Sequence, residues 1–68
     1  MTPAIPKETL LALAEAVRET CVRAALDGYE QAGISGLCGE GRWEMAVDAM
    51  QSMKLDDVVQ AIAQQLPN

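Results

Sequence analysis

Cys38, Glu40 and Arg42 sit among three glycines in the stretch GLCGEGRW, residues 36–43, beside the single Trp, Trp43. Two chemistries fit a thiol, a carboxylate and a guanidinium at this spacing. A thiol near a helix N-terminus, with a guanidinium one turn on, ionises more readily and reacts as thiolate. Gly36, Gly39 and Gly41 also leave backbone N–H groups accessible, and with Arg42 and a helix dipole they suit an anion. Against the first, the Glu40 carboxylate opposes ionisation of Cys38. Against the second, a tight bend between helices calls for glycine on its own account. A small-anion or thiol-redox protein built on Gly36, Cys38, Gly39, Gly41 and Arg42 is therefore the alternative function. The simpler reading makes the glycines a bend, Trp43 a core or interface anchor, and Arg42 the residue with a role beyond folding.

Other chemistries are excluded by residue type. The chain has no His, which removes the commonest acid–base residue and the Ser–His and Cys–His nucleophile pairs. Cys21 and Cys38 are too far apart, and without His, to form a zinc site. No GxxxxGK[ST] and no strand-led GxGxxG is present, so nucleotide motifs fail. Glu40, Glu44 and Asp48 form an i, i+4, i+8 column, but a row on one helix does not converge on a metal; it reads as a solvated acidic face. No enzyme, cofactor or metal is expected.

The elements that must carry these residues are helical. Sixty-eight residues make one domain, and a chain this short buries only about 60% of the surface its unfolded form exposes. It has no Phe, one Trp and one Tyr, so its core comes from Leu, Val, Met, Ala and Ile. The expected fold is all-α, a single three-helix domain over 7–66. An extended lead-in covers 1–6, and the helices run over about 7–32, 40–52 and 55–66. Gly33 fits a helix stop followed by an apolar residue, Ser35 fits an N-cap for the second helix, and Asp56 can cap the third, which Pro67 ends. Leu55, Val58, Val59, Ile62, Ala63 and Leu66 follow i, i+3, i+4, i+7, i+8, i+11, an amphipathic helix. Gly28, inside the first helix, costs about 1 kcal/mol relative to Ala and marks close approach of another backbone.

The apolar faces are wide. Leu10, Leu11, Leu13, Val17, Cys21, Val22, Ala24, Ala25 and Tyr29 cover roughly half the circumference of the first helix. Cys38, Trp43, Met45, Ala46, Val47, Ala49, Met50 and Met53 do the same on the second. A third helix of twelve residues covers only part of this. Arg18 and Arg42 interrupt these faces, and guanidinium suits bidentate pairing across an interface. The expected function is thus a non-enzymatic interaction module, an accessory or regulatory subunit. It self-associates, with a homodimer the simplest closed assembly. Arg18, Arg42, Trp43, Met45, Met50 and Met53 are its expected contacts. A formal net charge of −5 argues against nucleic acid and anionic membrane as partners. No basic-then-apolar leader and no membrane-length apolar run is present, so a soluble, cytoplasmic protein with free thiols is expected.

Overall fold

The computed structural model describes residues 5–65. They form α1 (Lys7–Ile34), α2 (Gly39–Ser52) and α3 (Leu55–Gln65), with no strand among the described residues. The fold is all-α with three helices, the first long, as the sequence predicts. Of the expected lead-in, only Ile5 and Pro6 are described. The expected helix end at Leu66 and stop at Pro67 lie outside the described residues. Pro6 is the N-cap of α1, and its carbonyl accepts from the N–H groups of Thr9 (3.0 Å) and Leu10 (3.2 Å).

At 1.5 Å per residue α1 is about 42 Å long, and α2 and α3 pack back along it. Gly33 lies against Arg42, and Gly28 against Met45, Ala46 and Ala49. Farther down, Leu10 and Leu13 border a groove with Val59 and Ile62. The chain thus runs up α1 and down α2 and then α3. Among the described residues α1 touches both other helices, and they do not touch each other. The molecule is a helical hairpin with a broken return arm. The break is at Met53, whose backbone is extended (φ −65°, ψ 142°). Because α3 starts at Leu55, Asp56 lies inside its first turn with Asp57, where both favour the positive end of the dipole, rather than capping from outside.

The end of α1 differs from the sequence expectation. Gly33 stays helical, and the left-handed residue is Gly36, at φ +86°. The Leu37 N–H donates to the Ala32 carbonyl and the Gly36 N–H to the Gly33 carbonyl, both at 3.0 Å. These two bonds form a Schellman close, which needs a residue free of the Cβ penalty at the left-handed position. Ser35 is therefore the C-cap of α1 and not the N-cap of α2. The apolar residue behind the stop is Leu37, not Ile34. Leu37 packs on Gly41, where a Cβ would stand 2.9 Å from its Cδ2.

The seam between α1 and α2 is built from small side chains. A Cβ on Gly28 would meet the Met45 carbonyl oxygen at 2.9 Å and the Ala49 Cβ at 3.0 Å, so the close approach expected at Gly28 is present. Among the described residues only Ala32, Ala46 and Val58 are buried, and none is large. A two-layer hairpin has a single seam, so most larger apolar side chains are only partly covered. The Cα radius of gyration, 15.8 Å, exceeds the roughly 11 Å of a compact domain of this length.

Candidate functional site

The glycine-rich stretch places Cys38 as the N-cap of α2 (φ −73°, ψ 174°), with its side chain exposed. The thiol makes no capping hydrogen bond. The amides of Gly41 and then Glu40 favour the thiolate and hold the Cys38 pKa below the ordinary thiol value, with desolvation and then the Glu44 carboxylate opposing. The sequence expectation assigned the lowering to the helix N-terminus together with Arg42, and the opposition to the Glu40 carboxylate; the first-turn amides do lower it, and Arg42 is not among the causes. Instead the Glu40 backbone assists and Glu44, one turn on, opposes. A thiol pKa lowered by folding makes the fold more stable as pH rises through the folded value, with the full contribution above 9.0.

Arg42 is turned back onto the end of α1. Its Nε donates to the Leu37 carbonyl at 2.9 Å, and its guanidinium carbon lies 5.8 Å from the Tyr29 ring centroid. A Cβ on Gly33 would meet that carbon at 3.1 Å. The side chain thus braces the α1–α2 connection, joining the carbonyl of the bend to an aromatic face about two turns before it. Replacing Arg42 by Ala is expected to lower folding stability by about 1 kcal/mol through the lost bond to the carbonyl, read as the urea midpoint. A midpoint equal to that of the parent would contradict the brace.

The other apolar and charged candidates divide between two flanks of the hairpin. On one, Ala25, Leu26 and Tyr29 of α1 face Trp43 and Ala46 of α2 across an open groove of about 310 Å³. This flank continues down α1 at helical spacing through Val22, Arg18 and Leu11. Leu26 is 64% exposed, Trp43 60%, Leu11 58% and Val22 53%. Arg18 pairs with Glu15 at 3.4 Å. On the other flank, Met45 lines a groove with Gly28, Gln31 and Ala49. Met50 and Met53 are half-buried. The candidate contacts are therefore not brought to one patch: Arg18 and Trp43 share a flank, Met45 is apart from them, and Arg42 is engaged within the chain.

Two residues of the site escape the sequence reading. Leu26 lies beside the acidic edge of α1, yet its i+4 spacing from Val22 extends the apolar flank. Leu37 closes α1 and accepts the Arg42 bond through its carbonyl, and the Leu–x–x–x–Gly spacing to Gly41 is its only local signal. Among the described residues, no group of three His, Cys, Asp or Glu side chains could hold a metal. No helix there is long and apolar enough to cross a membrane. Neither a family model, nor a curated protein, nor a solved structure matches this chain.

Proposed function

We propose that the chain is a non-enzymatic, acidic helical interaction module, an accessory or regulatory subunit that acts by binding protein, itself included. The observation that supports this is the flank of Leu11, Val22, Leu26 and Trp43, each more than half exposed. Fully burying a Leu, Val or Phe-sized side chain contributes about 1.5–3 kcal/mol. Four such residues left open on a hairpin with three small buried side chains among the described residues are a large unused stabilisation for a chain of this size. Net charge −5 favours a protein partner over nucleic acid or an anionic membrane. The reading assigns the chain to the cytoplasm, where free thiols persist.

If association covers the flank, folding and binding are linked, and the melting temperature depends on protein concentration. A rise of several degrees is expected between about 1 and 100 μM, conditions that span a typical micromolar association. A melting temperature unchanged over that range counts against self-association.

The lowered pKa of exposed Cys38 favours one further reading, a thiol-reactive protein. Alkylation of the folded chain, followed against pH, is then expected to reach half its maximal rate at lower pH than a short Cys peptide does. Coincident profiles would remove this reading.

A further inference from the structure

The apolar flank has a polar centre, and its arrangement indicates what covers it. Arg18 and Glu15, one turn apart, are the one ion pair among the described residues, 3.4 Å apart with both side chains well exposed. Leu11 lies on one side of the pair, and Val22, Leu26 and Tyr29 on the other, all on α1. A surface with one positive and one negative group at its centre and apolar groups at both ends is complementary to itself when turned end for end. A two-fold axis across α1 midway between Glu15 and Arg18 places each copy's Arg18 opposite the second copy's Glu15. It also places each Leu11 opposite the second copy's Val22, with Leu26 one turn beyond. Placing two α1 helices side by side in parallel would instead set Arg18 against Arg18.

We propose that the flank is covered by a second copy of this chain, α1 against α1 and antiparallel, giving a six-helix assembly with reciprocal Arg18–Glu15 pairs at its centre. The hairpin as a whole has exposed area to spare. The chain exposes 5591 Å², about 1,400 Å² more than a compact monomer of this mass. A stable interface takes only about 800 Å² from each partner. Isologous closure also accounts for the size of the patch, since the same residues serve both sides. The inference rests on the self-association reading above and adds the surface, the occupant and the orientation.

The test is charge complementation, read by sedimentation equilibrium on the full chain with helicity checked by circular dichroism. Arg18→Glu gives a wholly acidic centre and Glu15→Arg a wholly basic one. Each alone is expected to weaken self-association about tenfold or more, because like charges meet at the axis. Mixed in equal amounts the two variants are expected to recover a 1:1 dimer. The double variant Glu15→Arg/Arg18→Glu is expected to self-associate like the parent, which guards against a single variant that simply folds poorly. A parent that dimerises while the mixture does not recover overturns this orientation but leaves the self-association reading standing. A monomeric parent overturns both and leaves the flank to a different protein.

Discussion

Replacing Gly28 by Val is expected to destabilise the hairpin by about 2–3 kcal/mol, the upper part of the range for overpacking a closed contact. The cause is local and rigid. The new Cβ would stand 2.9 Å from the Met45 carbonyl oxygen and 3.0 Å from the Ala49 Cβ. Neither can rotate away, so α1 and α2 must separate along the seam that holds Ala32 and Ala46. Ala at the same position is expected to cost less, because it recovers about 1 kcal/mol of helix propensity over Gly. The contrast is Gly33→Ala. There the nearest atoms belong to the end of the Arg42 side chain, at 3.1 Å, and a flexible side chain can shift. The propensity gain then prevails, and Gly33→Ala is expected to be neutral or stabilising by up to about 1 kcal/mol. Urea denaturation of the three variants, at one protein concentration, checks both signs. A stabilised Gly28→Ala would show that the seam is looser than described.

Trp43→Ala is expected to weaken association about five-fold, about 1 kcal/mol, because the α1–α1 contact sets Trp43, beside Leu26 and Tyr29, at its rim against the first turn of the second copy. Truncating a large aromatic at the groove beside Leu26 and Tyr29 removes the flank's broadest apolar surface. Because Trp43 is 60% exposed in the single hairpin, little of that loss belongs to folding of one copy. The two effects separate by concentration. Diluted below its association range, the variant should unfold close to the parent. At high concentration both gain stability by mass action, the variant less than the parent. A variant equally destabilised at all concentrations would instead make Trp43 part of the fold of one chain.

Sequence and structure agree where a signal is local and diverge where it depends on a distant partner. The α3 segment repeats apolar residues at helical spacing over LDDVVQAIAQQ, and it is found there as Leu55–Gln65. Gly28 was legible as a contact because a glycine in the middle of a helix otherwise lacks a reason. The stop of α1 was not legible at the right residue. Gly33 and Gly36 both fit the composition of a helix end, and only the bonds from Gly36 and Leu37 to Gly33 and Ala32 distinguish them. Three helices were predictable, but their arrangement as a hairpin was not. It depends on the extended backbone at Met53, in a segment, SMKL, with neither Gly nor Pro.

The candidate site shows the same division. Cys38 near the start of α2 follows from nearby residues, whereas Trp43, read as a core or interface anchor, is left outside the seam only by the packing. The role of Arg42 does not, since its partners are the Tyr29 ring and the Leu37 carbonyl, brought to it by the turn of the chain. The wide faces were visible as periodicity. Which part faces the seam was not, because helical spacing alone assigns no direction to a stripe that covers half a circumference. Packing assigns Ala32 to the seam and leaves Leu11, Val22 and Leu26 outside it.

The molecular mass in solution decides the central claim. Sedimentation equilibrium of the unmodified chain at tens of micromolar is expected to give twice the 7.3 kDa of one copy, dissociating on dilution. A mass that stays at one copy across that range, with full helicity and a cooperative melt, would contradict it.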